Sequence, residues 1–211
     1  MYVPAQFRED RVPVLHEMIR RIRLGTLVTL NGDGLVASHL PMLVDPEPAP
    51  FGMLSGHFAR ANPQWRTLKP EVEALVIFAG PQAYITPSWY ATKPLTGKVV
   101  PTWNYVAIHA YGALRVVDDP AHTHAHITRL TDTQESARAQ PWHVTDAPDD
   151  FIVGMVKGII GFEFVITRLD GKWKMSQNRP AEDRAGVVAG LAREGGSAEI
   201  GALVAEQDKV R

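Results

Sequence analysis

The chain has 211 residues, 45% of them hydrophobic and 21% charged, a globular balance in a chain long enough to bury one substantial core. A formal net charge of -1 excludes an overall positive field that would hold the protein on nucleic acid or an anionic membrane, so any such binding has to be local. The absence of cysteine excludes disulfides, thiolate metal sites and thiol catalysis, and it fits a reducing cytoplasm.

The first ten residues are polar and mixed in charge, and no apolar run approaches the roughly 20 residues that span a bilayer. The expectation is a soluble cytoplasmic protein with no export signal and no membrane partner. Between residues 11 and 23, Val14, Leu15, Met18, Ile19 and Ile22 recur at three- and four-residue spacing, which predicts an amphipathic helix ended by Gly25. Residues 26–30 and 35–40 flank Asn31-Gly32-Asp33-Gly34, a turn sequence that accepts positive φ, and predict a hairpin. The proline-rich stretch 45–50 cannot pair in a sheet and reads as a loop before a short strand over 51–57, with a helical turn over 62–68.

Residues 74–79 and 82–86 read as two central strands bounded by glycine and proline, and 98–106 and 108–117 as a further pair. Asp118-Asp119-Pro120 opens a helix running to Glu135, and 149–160 predicts another. Residues 162–169, the turn Asp170-Gly171 and residues 172–176 predict a closing hairpin. After Pro180 the chain turns helical to about 191, breaks at Gly195-Gly196-Ser197 and resumes as helix to about 207. Many short strands in sequence with few helices favour a mainly β fold, a small antiparallel barrel, over a βαβ sheet. The expected organisation is one domain over 1–180 with a helical tail over 181–211.

Three segments carry residues with chemistry. In Gly56-His57-Phe58-Ala59-Arg60-Ala61-Asn62-Pro63-Gln64-Trp65, Arg60 and His57 can meet an anion beside the N–H groups of a helical turn, although a surface arginine and a capping Asn62 explain the same residues. Around Thr86-Pro87-Ser88-Trp89-Tyr90 and Thr102-Trp103-Asn104-Tyr105, aromatic pairs stand among hydroxyls, an amide and the cations Lys93 and Lys98. That set suits a flat ring with a hydrogen-bonding edge, and equally a packed core or dimer interface. In Lys172-Trp173-Lys174 the lysines leave one face of a strand and the tryptophan the other, with Gln177, Asn178 and Arg179 beyond; a lysine-protected edge hairpin is the alternative. His122 and His126 share a helix face but His124 points elsewhere and no third ligand is near in sequence, so no metal site is expected. His39 and His109 read as hydrogen-bonded core or pocket residues. Phosphate-loop, dinucleotide and nucleophile-elbow motifs are missing.

In these segments the chain resembles the PaiB-type family of FMN-binding negative transcriptional regulators, over nearly its whole length. The landmarks are Met1-Tyr2-Val3-Pro4 with Phe7, Ala37-Ser38-His39-Leu40-Pro41, the Gly56 to Trp65 segment, Thr86 to Tyr90, Val99-Val100-Pro101 with Thr102 to Tyr105, and Gly171 to Lys174 with Ser176 to Arg179. The resemblance implies a split β-barrel similar to pyridoxamine-phosphate oxidases and flavin reductases, in a homodimer with two flavins at its interface. It implies that Arg60 and Asn62, with Lys98 as a further cation, hold the FMN phosphate; His57, beside Arg60 in the same segment, is expected among the cofactor-binding residues. Ser38, His39, Thr102, Trp103 and Asn104 would approach the ribityl chain or ring, and Trp173, Gln177 and Arg179 would complete the site from the other subunit.

A regulator must touch DNA or a partner that does. The two tail helices superficially resemble a helix-turn-helix, but Glu182, Asp183, Glu194, Glu199, Glu206 and Asp208 outnumber Arg184, Arg193, Lys209 and Arg211 there, so Arg20-Arg21-Ile22-Arg23 is the better local candidate, although a solvated helix end explains that stretch more cheaply. The competing expectations are an FMN-dependent oxidoreductase, with His39, His57 or Tyr105 relaying a proton, and a haem-binding split barrel.

Overall fold

The computed structural model describes residues 1–207. In chain order its elements are β1 (Arg8–Glu9), α1 (Val12–Ile22), β2 (Leu24–Asn31), β3 (Gly34–Pro41), β4 (Leu43–Asp45), β5 (Met53–Ala59), α2 (Gln64–Thr67) and β6 (Ala74–Ile85). There follow α3 (Lys93–Thr96), β7 (Thr102–Val117), α4 (Pro120–Glu135), α5 (Asp149–Lys157), β8 (Ile159–Lys174), α6 (Ala181–Arg193) and α7 (Ala198–Glu206). The strands form one sheet in the order β3-β2-β6-β7-β8-β5-β4, with β1 beside β8. The β2–β3 hairpin pairs Thr26 with His39 and Leu27 with Ser38, and β5 runs antiparallel to β8 with His57 opposite Gly161 and Ser55 opposite Glu163.

Two compact units share these elements, one made of Met1–Leu15, Ala79–Ile108 and the chain from Asp170, the other of His16–Phe78 and His109–Leu169. In the second unit Leu27, Leu54, Phe58, Phe78, Phe162 and Phe164 are all fully buried. Burial of a large apolar side chain is worth about 1.5–3 kcal/mol, so such a set dominates the unit's stability. Val144, Ile152 and Val156 form a smaller cluster with Ile127 and Ala147, which ties α5 to α4. In the first unit Ile85, Val106, Ile108, Met175, Val187 and Val204 are buried.

The α1 helix, the first hairpin and the start of α4, where Asp119 caps the N-terminus by accepting from Ala121 N at 2.9 Å, follow the sequence pattern, except that Gly25 does not end α1: the helix stops at Ile22, Arg23 takes the left-handed conformation, and Gly25 already lies in β2 opposite Leu40. Four other readings need correction. Residues 74–85 form one strand, because Gly80 is no turn: a Cβ there would lie 2.8 Å from Val106 Cβ, so the glycine serves close strand approach. Residues 102–117 likewise run as one strand, with Val106, Ile108 and Ala110 alternating as buried positions without interruption. Asp170-Gly171 does not turn either. A Cβ on Gly171 would lie 2.5 Å from Glu9 O and 2.4 Å from Leu15 Cδ2, and the strand runs on to Lys174 beside β1. Finally α5 stops at Lys157 with Gly158 as its cap, since Ile159 and Ile160 already pair with β5. The short strand β4 has no clear sequence signal beside its prolines.

Candidate functional site

The second unit joins two of the expected site residues, Ser38 and Asn62, through one hydrogen-bonded patch with Gln64. Ser38, opposite Leu27 in the hairpin, donates from Oγ to Gln64 Oε1 at 2.5 Å, and Asn62 Nδ2 donates to the same Ser38 Oγ at 3.0 Å. Asn62 Oδ1 in turn accepts from Gln64 N at 2.9 Å. Gln64 is 1% exposed, and its Nε2 donates to Thr29 Oγ1 at 3.0 Å and to Val36 O at 3.2 Å. A buried amide must satisfy its donors and acceptor, so this glutamine fixes the 62–64 turn against β2 and β3. Gln64 has no visible role in the sequence, because its side-chain partners Ser38, Thr29 and Val36 lie 26 or more residues away. His39 stands on the exposed side of β3, its Nδ1 2.9 Å from Thr26 Oγ1.

Arg60 is already engaged. Its Nε donates to Lys157 O at 3.0 Å, Nη2 to Ile159 O at 3.1 Å and to Asp118 Oδ1 at 2.8 Å, and Nη1 to Asp118 Oδ2 at 3.2 Å. The hydrogen bond between the two raises the arginine's pKa and lowers that of Asp118. His57 turns toward α4, where its ring stands edge-on to His126 with centroids 5.4 Å apart. Burial lowers the pKa of His57, so its ring is neutral at pH 7. His122 of the same helix faces Glu163 at 3.8 Å and His124 is exposed. Among the described residues no group of three His, Asp or Glu side chains is placed to hold a metal ion.

The first unit gathers the remaining residues. Lys174 Nζ donates to Thr102 Oγ1 at 2.5 Å, and fully buried Asn104 donates from Nδ2 to Ser176 Oγ at 3.0 Å. Trp103, between them on β7, points the other way and is 51% exposed, edge-on to Tyr84 at 6.1 Å. A cavity of about 590 Å³ opens there, lined by Gln82, Tyr84, Thr86, Trp89, Trp103 and Glu194. Trp89 Nε1 donates to Glu194 Oε1 at 2.9 Å. Trp173 is buried, Gln177 donates to Trp173 O at 2.5 Å and accepts from Met175 N at 2.7 Å, and the Arg179 guanidinium lies 4.5 Å from the centre of the Tyr90 ring. Lys98 is exposed in the loop before β7. Asp183 and Arg184 of α6 are buried, the former accepting from Thr92 N at 2.9 Å and Thr92 Oγ1 at 2.8 Å, which removes both from any DNA-facing surface. Asp208, Lys209 and Arg211, counted with the tail's charges, lie outside the described residues.

No helix among the described residues is long and apolar enough to cross a membrane. Residues 1–168 match the family model described as "Putative FMN-binding domain". An uncharacterized Aspergillus fumigatus protein is 38% identical over 256 residues, covering 100% of this chain and 97% of the relative. The Bacillus subtilis protease synthase and sporulation protein PAI 2 is 31% identical over 194 residues, covering 92% and 90%. Among solved structures, a conserved hypothetical protein of Mycobacterium tuberculosis superposes with a TM-score of 0.59 at 13% identity over 85% of this chain and 94% of its own. An FAD- and haem-binding protein of Mycobacterium smegmatis gives 0.56 at 13% identity over 84% and 78%. These distant likenesses speak to the fold alone, which is the mainly antiparallel split barrel with peripheral helices that the sequence predicted. The family match over 168 residues and the PAI 2 likeness over 92% of the chain together show that this protein belongs to the PaiB-type family of FMN-binding domains, whose cofactor is FMN.

Proposed function

We propose that the protein is a cytoplasmic, homodimeric flavoprotein that acts as a negative transcriptional regulator, and that the phosphate and ribityl end of its FMN lies on the Ser38, Asn62 and Gln64 patch of the second unit. The observation that carries this reading is the bond from Asn62 to Ser38 at 3.0 Å, which links two motif segments that the sequence keeps 24 residues apart. The residues fit the group. The Asn62 amide nitrogen has a second hydrogen beyond the one given to Ser38, exposed His39 adds a ring nitrogen, and Arg60 brings a cation with its planar fork held. When bound, FMN supplies hydride or electron transfer. The chain's own part is to bind and orient it: Gln64 holds the turn, Asn62 and Ser38 offer amide and hydroxyl, and Asp118 competes with the phosphate for Arg60. His57, being neutral, serves as a hydrogen-bonding neighbour and not as a counter-charge. In the first unit, exposed Trp103, on a strand that Thr102 and Asn104 anchor, offers an aromatic face of the kind a flat ring stacks on. Lys98, Trp173, Gln177 and Arg179 are proposed to contribute through the dimer.

The test compares FMN with riboflavin, which lacks the phosphate. FMN should bind more tightly; Ser38→Ala and Asn62→Ala should each cost about 0.5–1.5 kcal/mol of FMN affinity, the usual worth of a neutral hydrogen bond. Arg60→Ala should narrow the gap between the two flavins, while Asp118→Asn, which frees the guanidinium, should preserve or widen it. Equal affinity for both flavins in all four variants and the wild type would place the phosphate elsewhere. Repression is tested by gel shift of genomic fragments with the FMN-loaded protein.

The oxidoreductase reading has one observation of its own, the aromatic cavity of about 590 Å³ in the first unit, which has room for a small planar substrate. NAD(P)H turnover by the flavin-loaded protein, lost in Trp103→Ala, would favour it.

A further inference from the structure

The Arg20-Arg21-Ile22-Arg23 segment has no part in the flavin site, and the second unit builds it into a cavity of about 400 Å³. Four arginines line that cavity: Arg20 and Arg21 from the last turn of α1, Arg23 from just beyond it, and Arg129 from the middle of α4. Glu17 is the one carboxylate among the lining residues. The chain as a whole carries a net charge of -1, so this is a local concentration of positive charge inside a concavity, the arrangement that focuses a field on an anion.

The floor is apolar. Met42 and Val44 are buried and Leu43 is half-buried, and all three line the cavity, with Thr133 of α4 and Ser136, which caps that helix, at its side. The helix dipole alone accounts for Arg20 and Arg21, because cations are favoured at a helix C-terminus. It does not account for Arg129, which lies mid-helix. Arg23 has φ 62°, the left-handed conformation that glycine or asparagine normally supplies at this cap position. The strained backbone directs its side chain across to α4, where Nη1 donates to Gln134 Oε1 at 2.5 Å and Nε donates to Arg20 O at 2.9 Å. Arg129 is held by Asp45 at 2.8 Å and Arg20 only loosely by Glu17 at 3.7 Å. Two guanidinium groups are thus pre-positioned and one stays adaptable above an apolar floor.

We propose that this cavity binds a small organic anion, a phosphate or carboxylate carried on an apolar body, as a ligand separate from FMN. The acid group sits among Arg20, Arg21, Arg23 and Arg129, and the apolar body lies over Met42, Leu43 and Val44. The concave shape and limited volume favour such a molecule over a nucleic-acid backbone, which needs an extended convex or grooved surface.

The experiment titrates the FMN-saturated protein with phenyl phosphate, benzoate, inorganic phosphate and phenol by calorimetry, with a 20-base-pair duplex as a further probe. FMN saturation keeps the phosphate probes off the flavin site. If the protein takes up no FMN, the same titrations run on it as purified, so the two proposals fail separately. The expectation is that phenyl phosphate or benzoate binds at least about tenfold more tightly than inorganic phosphate and that phenol does not bind; which of the two acids wins identifies the acid group. Arg20→Gln and Arg129→Gln should each weaken binding about tenfold or more. Thr133→Glu, which puts a carboxylate on an exposed helix position at the cavity wall, should abolish it without moving the thermal midpoint. Equal weak binding of all anions, insensitive to these substitutions, would overturn the proposal. Duplex binding that depends on the same arginines, without small-anion binding, would overturn it in favour of a nucleic-acid surface.

Discussion

His126 is 5% exposed, both of its ring nitrogens lack a hydrogen-bond partner, and burial, reinforced by His57, His122 and Arg129, lowers its pKa to about 4. Asp45 acts in the opposite direction. Because the folded pKa lies below the unfolded value of about 6.5, the unfolded chain binds the proton first as pH falls. Stability from this residue is complete above pH 6.5 and is lost between there and about 4, to the extent of roughly 3 kcal/mol. Urea unfolding at pH 7.5, 5.5 and 4.5 should show this loss, and His126→Leu should flatten the profile relative to wild type even though carboxylates titrate nearby. Parallel profiles for the two proteins would contradict it. The sequence reading paired His126 with His122 on one helix face; it could not find His57, because that neighbour arrives from β5, 69 residues away in the chain. The same holds for Arg60: its charge pattern was plain, but Asp118 as its partner was not.

At the scale of elements, glycines decided two of the differences between expectation and structure. Gly80-Pro81 and Asp170-Gly171 look like turns to local rules, yet each glycine marks where a neighbouring strand or side chain comes too close for a Cβ. The same reasoning predicts an unusual result in α6. Alanine normally stabilises a helix relative to glycine by about 1 kcal/mol. Here a Cβ on Gly186 would lie 2.0 Å from Trp89 O, and one on Gly190 2.3 Å from Trp89 Cδ2. Gly186→Ala and Gly190→Ala should therefore each lower the thermal midpoint, by the 1–3 kcal/mol typical of overpacking, whereas Gly154→Ala in α5, with open space around its Cβ, should leave it unchanged or raise it. A higher midpoint for the α6 variants would show that this helix does not pack on the Trp89 turn. Periodic segments such as α1 and the first hairpin were readable because their signals are local; β4 and the full length of β6, β7 and β8 were not, because strand pairing sets them.

For the whole molecule, composition and motif order were enough to reach the fold class and the family, since several short landmarks in the right sequence are more specific than any one of them. The contacts that each candidate residue makes were harder to read. Ser38 and Asn62 meet directly, Thr102 and Asn104 find Lys174 and Ser176, and Trp103 opens on an aromatic cavity, all through contacts between distant segments. The proposed function requires that these clusters serve a flavin in a dimer. The most direct test is titration of the purified protein with FMN, followed by flavin fluorescence and visible absorbance, with particle mass measured on the same sample. The account predicts saturable binding near one FMN per chain in a particle of two chains; a folded protein that leaves FMN fluorescence and absorbance unchanged at every concentration would contradict it.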